Sequence, residues 1–299
     1  MTRAMAEAGT DIWVLWRDRR GRLSPLRIAA LALLSLPLWL ALEAWLSHRL
    51  APRLLNDLVH RAGYWALIFL MVSLAITPLR RAVRYGALID VRRMIGVGAF
   101  AYAVAHILLY VADEKFDLVK VALEIVKRLY LTIGLVAWLG LAALAVTSND
   151  TTVKRLGGQR WRRLHRATYV IAVLALVHFF QQTKADFTLP ATVTGLFVWM
   201  MAYRLLARRV PEPSTLALLA LTLGVALAVF LGEAAGIALW YKVSPLRVLD
   251  TVFDFQLAVR PGWYVLGAGI AVCLVDLLRG RTRRDPQPGG VALVPRQRA

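Results

Sequence analysis

The chain has almost no cysteine. Cys273 is the single one among 299 residues, which excludes an intrachain disulfide, an iron–sulfur cluster, a Cys-rich zinc site, and a thiol reductase with attacking and resolving cysteines. Acidic residues are also scarce, 18 Asp+Glu against 37 Lys+Arg, for a formal charge of +19. An excess of that sign in a polar chain points to nucleic acid. Here 59% of the residues are hydrophobic and fall in long runs, so no nucleic-acid partner is expected. Long polar stretches are missing too: no loop is large enough for a separate soluble domain, and no internal repeat is evident.

The apolar runs are Leu26–Leu46, Gly63–Leu79, Met94–Ala112, Leu129–Val146, Leu164–Phe180, Leu189–Leu206, Leu216–Trp240 and Trp263–Leu278. Each approaches the roughly 20 residues that a helix needs to cross a bilayer core. The expected fold is an all-α integral membrane protein, a bundle of about eight transmembrane helices. The Lys and Arg residues test its orientation, because cytoplasmic loops attract them. With the amino terminus inside, 26 of the 37 fall on the cytoplasmic side and 11 on the other. Both termini are therefore expected in the cytoplasm. The basic balance is then a topology signal with some affinity for anionic membrane lipid. The first run follows a basic stretch but lacks a small-x-small cleavage site, so it reads as an uncleaved signal anchor.

Of the five histidines, His48 and His60 sit at outer helix ends. His106 and His178 lie deep in the third and fifth runs, which cross in the same direction. Counting from Met94 and Leu164 puts them about 18 and 21 Å up their helices, at one level in the outer half of the bilayer. An ionisable side chain at that depth marks a functional site by default. Two imidazoles at one level on neighbouring helices suit the axial positions of a b-type haem, which would carry electrons and not activate oxygen. The bland alternative is that each ring hydrogen-bonds a neighbouring helix. A closed zinc site would need further Cys or carboxylate ligands that this level does not supply. His165 lies 13 residues before His178, about 20 Å lower, so the two do not share one iron. A second haem at His165 would need a partner near Arg92, Arg93 and Met94, where no His stands.

Several stretches together resemble a known family. They are Gly63-Tyr-Trp-Ala-Leu, Ile76-Thr-Pro-Leu-Arg-Arg81, Val91-Arg-Arg-Met-Ile-Gly96, Tyr102-Ala-Val-Ala-His-Ile-Leu-Leu-Tyr110, Gln159-Arg-Trp-Arg-Arg-Leu-His-Arg-Ala-Thr-Tyr169 and Leu176-Val-His-Phe179. In this order they are similar to the haem-binding membrane subunit of the periplasmic methionine-sulfoxide reductase system (the MsrQ, or YedZ, family of the ferric-reductase-like transmembrane group). The resemblance implies haem b, a flavin mononucleotide (FMN), a bacterial inner-membrane location and service to a periplasmic molybdopterin-containing methionine-sulfoxide reductase subunit. It puts His106, His165 and His178 on the family's three haem-associated histidines. The resemblance covers a haem-binding core (61–184); the expected division adds a cytoplasmic tail and first membrane helix (1–60), further membrane helices (185–280) and, from its polar composition, a disordered cytoplasmic tail (281–299).

A haem in the outer half needs a relay at the inner face, where His165 stands. The basic residues Arg92, Arg93, Arg160, Arg162 and Arg163, with Arg80 and Arg81, converge there if helices two to five bundle. They suit haem propionates or a flavin phosphate, or simply obey the positive-inside rule. Two roles stay open for His165: holding the flavin, which the missing His partner favours, or ligating a second haem, with Met94 as the first candidate partner. No strand-borne Gly-x-Gly-x-x-Gly is present, and Gly96-Val-Gly98 reads as close helix packing. Electrons are therefore expected from a separate cytoplasmic flavin reductase or from membrane quinol. The competing functions are a stand-alone transmembrane ferric or cupric reductase, and a non-redox membrane transporter or assembly factor with structural histidines. Among the other membrane-embedded polar groups, Glu43 is expected to snorkel, Glu233 to find a polar partner or border a quinone pocket, and Asp276 to pair with Arg279.

Overall fold

The computed structural model describes residues 15–17, 21–49, 53–183, 187–256 and 258–282. The polar tail from 283 onward, the basic stretch before 15 and Lys184 lie outside the described residues. All regular elements of length are helical: α1 (Pro25–Leu46), α2 (Leu54–Ala82), α3 (Ile89–Asp113), α4 (Leu118–Lys127), α5 (Leu129–Val146), α6 (Asp150–Leu156), α7 (Gly158–Leu164), α8 (Thr168–Gln182), α9 (Thr188–Arg209), α10 (Thr215–Tyr241), α11 (Pro245–Asp250) and α12 (Pro261–Thr282). Eight spans among the described residues are long and apolar enough to cross a membrane, with α7 and α8 forming one of them. The protein is a multi-pass integral membrane protein, and most of its spans, though not the one at Leu129–Val146, begin earlier than the apolar runs suggest. α2 starts at Leu54 because a polar first turn, closed by an Asp57–Arg61 ion pair at 2.7 Å, precedes Gly63.

Side-chain oxygens cap several helix starts. Ser24 caps α1 ahead of Pro25, Asp117 caps α4, Asn149 caps α6 and Ser214 caps α10. Each accepts from an amide that the helix itself leaves free. The fifth span is not one continuous α-helix. Residues His165–Ala167 tighten into a 3-10 turn between α7 and α8.

α2 is the central helix. It packs along α3 and also touches α1, α8, α9 and α12, while α5 packs along α8 and against α3. Phe69, Leu74, Ala99 and Ala172, all buried, mark the core of this group. α10 and α12 pair with each other and with α9, which links them to α2 and α8. Lipid tails are as apolar as leucine, so the hydrophobic effect does not drive such packing; close fit and interhelical hydrogen bonds do. Gly98 shows this: a Cβ there would meet Leu34 of α1 at 2.4 Å, the close packing its sequence context suggests.

A proline inside α2 interrupts the helix at a point that a neighbour repairs. Pro78 has no N–H, so the Leu74 carbonyl loses its partner within α2. Arg204 of α9 donates to that carbonyl instead. Elsewhere the Tyr102 hydroxyl of α3 donates to the Leu34 carbonyl of α1 at 2.6 Å, one of the interhelical hydrogen bonds that hold α1 to α3. Among the other embedded polar groups, Glu43 pairs with Arg49 at a helix end and Glu233 with Arg260 at 3.2 Å. Asp276 departs from its expected partner: it accepts from Thr215 at 2.7 Å, because α12 lies antiparallel to α10 and brings Thr215 to its side. The Arg279 side chain lies outside the described residues.

Candidate functional site

α3 and α8 run in the same sense, away from the face that carries Arg92, Arg93 and Arg160–Arg163. They bring His106 and His178 together, with ring centroids 6.3 Å apart and ring planes inclined by 79°. Each ring is tied through the same nitrogen. His106 Nδ1 lies 2.8 Å from the Val59 carbonyl of α2, and His178 Nδ1 lies 2.7 Å from the Tyr130 carbonyl of α5. A carbonyl only accepts, so Nδ1 carries the proton in both rings and Nε2 keeps its lone pair. Both imidazoles are thus held in the tautomer that ligates through Nε2, with the other nitrogen anchored behind it.

The spacing has a simple chemical reading. A metal–imidazole bond of about 2 Å on each side, with each centroid about 1 Å behind its nitrogen, separates two axial rings by roughly 6 Å. Among the described residues no group of three His, Cys, Asp or Glu side chains gathers for a metal ion. A bare ion between these rings would therefore find two protein nitrogens, whereas a macrocycle brings four of its own. The donor set and spacing fit a six-coordinate haem iron. Among the described residues, two buried donors on these helices have no protein acceptor: the Tyr110 hydroxyl, one turn beyond His106 on α3, and, on α5 about two turns from Tyr130, Trp138 Nε1, with the Trp138 ring tilted against Phe100 of α3 at 5.9 Å. A bound group with acceptor atoms would satisfy them.

His165 is arranged differently. It sits in the 3-10 turn, stacked on Trp161 with centroids 4.0 Å apart. Its Nε2 lies 3.2 Å from the Thr147 hydroxyl. That hydroxyl has one proton and a closer acceptor, the Ala143 carbonyl at 2.8 Å, so it receives from His165 Nε2–H. Trp161 Nε1 donates to the Thr147 carbonyl at 2.9 Å, which holds the pair against the end of α5. His165 thus engages the nitrogen that His106 and His178 leave open. Arg92 and Arg93 stand close enough to act on its charge, and Arg93 is paired with Asp150. Arg160, Arg162 and Arg163 are exposed on α7. Met94 packs, partly buried, against the apolar core.

Sequence reasoning misses three features here. The Val59 and Tyr130 carbonyls carry no side-chain signal, because every residue has one. Thr147, the first polar residue after an apolar run, gives no reason to be singled out from Ser148 and Asn149. Arg204 reads as one more cytoplasmic charge, yet it is half-buried, spans the gap at Leu74 and lies 5.6 Å over the Tyr169 ring.

Residues 62–176 match the family described as the ferric reductase like transmembrane component. Among its relatives, the protein-methionine-sulfoxide reductase heme-binding subunit MsrQ of Rhodospirillum rubrum is 39% identical over 190 residues, which cover 63% of this chain and 89% of that protein. The MsrQ subunit of Xanthomonas oryzae pv. oryzae is 39% identical over 179 residues, 59% of this chain and 82% of its own. That of Xanthomonas euvesicatoria pv. vesicatoria is 38% identical over 200 residues, 62% and 91%. No solved structure matches the chain.

Proposed function

The chain belongs to the MsrQ family of heme-binding subunits, and on that premise we propose that it passes electrons across the membrane to a periplasmic molybdopterin-containing methionine-sulfoxide reductase subunit. The reading rests above all on one observation, the His106–His178 pair with both Nδ1 atoms tied to carbonyls and both Nε2 atoms left open. These residues would hold haem b, which would supply one-electron transfer. The α2 and α5 main chain keeps each ring in its ligating tautomer. The surrounding apolar helices exclude water from the pair.

His165 and the arginines serve a second station in this reading. Stacked on Trp161, His165 presents an aromatic surface at the face that also carries Arg92, Arg93, Arg160, Arg162 and Arg163. These residues would bind FMN, whose phosphate carries nearly two negative charges. Electrons enter at that face from a cytoplasmic flavin reductase or from quinol. The arginine-rich face is cytoplasmic in this assignment and the membrane is the bacterial inner membrane. The haem-binding core is residues 61–184, and 185–280 add membrane helices beside it.

One preparation tests the assignment. Haem and flavin are quantified in the purified full chain and in the variants His106→Ala, His178→Ala and His165→Ala, with membrane insertion checked for each. The expected result is a low-spin haem spectrum that either of the first two substitutions abolishes. The third should lower flavin content and leave that spectrum in place. A colourless wild-type chain, or full wild-type spectra in both His106→Ala and His178→Ala, overturns the haem assignment. Two haems per chain, falling to one in His165→Ala, overturns the flavin assignment.

A further inference from the structure

The two imidazole mounts are built alike, although the sequence shows no internal repeat. On α2 the accepting carbonyl belongs to Val59, and four residues on stands Gly63. On α5 the accepting carbonyl belongs to Tyr130, and four residues on stands Gly134. The histidines follow their carbonyls by 47 and 48 residues. Four residues are one turn of helix, so in each mount the carbonyl and the glycine share a face, and the ring spans both. A Cβ built on Gly63 would lie 2.9 Å from His106 Nδ1 and 3.0 Å from its Cε1. One built on Gly134 would lie 2.8 Å from both Nδ1 and Cε1 of His178. Real Cβ atoms essentially never stand so close, and neither ring is free to swing aside while its Nδ1–H holds the carbonyl one turn away. α2 and α5 cross in one direction and α3 and α8 in the other, so each mount pairs a histidine on one helix with a carbonyl and a glycine on an antiparallel neighbour.

We propose that Gly63 and Gly134 are positioning residues for the two haem-ligating histidines: each removes the side chain that would push the ring off its carbonyl, and so sets where Nε2 points. The inference rests on the haem assignment above. It differs from a general role in helix packing, because the atoms that a Cβ would strike are ring atoms of His106 and His178, not the backbone or apolar side chains of α3 and α8. Serine is no better than alanine in either position, since its Cβ meets the same ring. Gly224 of α10 offers the contrast: a Cβ there meets nothing within 4 Å.

The test uses the full chain, purified with its haem, as wild type, Gly63→Ala, Gly134→Ala and Gly224→Ala. The readouts are haem per chain, the electron paramagnetic resonance (EPR) signal of the ferric protein and the midpoint potential. Gly63→Ala and Gly134→Ala are expected to lower haem content several-fold, or to retain haem with a displaced low-spin signal and a shifted potential. Gly224→Ala should match wild type in all three. If Gly63→Ala fails to insert, the double variant Gly63→Ala/His106→Ala decides: it should insert as His106→Ala does, because the ring that the new methyl strikes is gone. A double variant that fails where His106→Ala inserts overturns the proposal and assigns Gly63 to helix packing. Wild-type haem content, signal and potential in both glycine variants also overturn it, with the haem assignment left standing. A wild-type chain without haem overturns both together.

Discussion

An imidazole in the bilayer is costly unless both of its nitrogens are accounted for. His106 and His178 each satisfy one nitrogen on a main-chain carbonyl and leave the other open. His165 spends its Nε2–H on Thr147, so the three histidines divide into two kinds by tautomer. The 79° inclination of the paired rings carries a spectroscopic consequence. Axial imidazoles with near-perpendicular planes give ferric low-spin iron a strongly anisotropic EPR signal, with one large g value, whereas parallel planes give an ordinary rhombic one. Frozen-solution EPR of the ferric wild type should show the anisotropic form, and a purely rhombic spectrum would contradict the ring geometry described here. How much of this is legible in the sequence depends on the residue. Depth along a helix can be counted, so the shared level of His106 and His178 is readable from two apolar runs. The tautomers are not, because they are fixed by carbonyls at Val59 and Tyr130 that differ in nothing from any other carbonyl until the helices pack.

At the scale of the element, a proline in a membrane helix leaves a carbonyl that no water can reach. Pro78 frees the Leu74 carbonyl, and Arg204 answers it from α9 while also bonding the Met200 carbonyl at 3.1 Å. A count of Lys and Arg assigns Arg204 to the cytoplasmic surface, yet the side chain turns inward to α2 and Tyr169. The sequence gives the proline and the arginine but not their meeting, since 130 residues separate Leu74 from Arg204. Losing a partner from a buried carbonyl costs about 1–3 kcal/mol. Arg204→Leu should therefore lower stability by about that amount, measured by thermal unfolding in detergent. In a Pro78→Ala background the same substitution should cost clearly less, because the restored amide at position 78 reaches the Leu74 carbonyl within α2. An equal cost in both backgrounds would show that this hydrogen bond carries no stability.

For the whole molecule, orientation follows from an even number of spans, and evenness depends on the last hairpin. α10 and α12 are tied near both ends: Thr215, at the start of α10, donates to Asp276 late in α12 at 2.7 Å. Glu233, late in α10, pairs with Arg260 just before α12 at 3.2 Å. A third link, Trp199 Nε1 to the Thr222 hydroxyl at 3.0 Å, fixes α10 to α9 between them. An α12 that stopped halfway would leave Asp276 and the Thr215 hydroxyl on opposite sides of the bilayer. The end of α12 therefore faces the same side as the start of α1 and as Arg92, Arg93 and Arg160–Arg163. The sequence count, which assigns 26 of 37 Lys and Arg residues to that side, supports by the positive-inside rule the proposal that it is cytoplasmic. Paired reporters fused at the carboxy terminus of the full chain should be active as a cytoplasmic reporter and silent as a periplasmic one. The same pair inserted in the segment between α10 and α11 should give the reverse. Matching signals at the two positions would mean that α12 does not span, and a reversal at both would put the arginine-rich face outside.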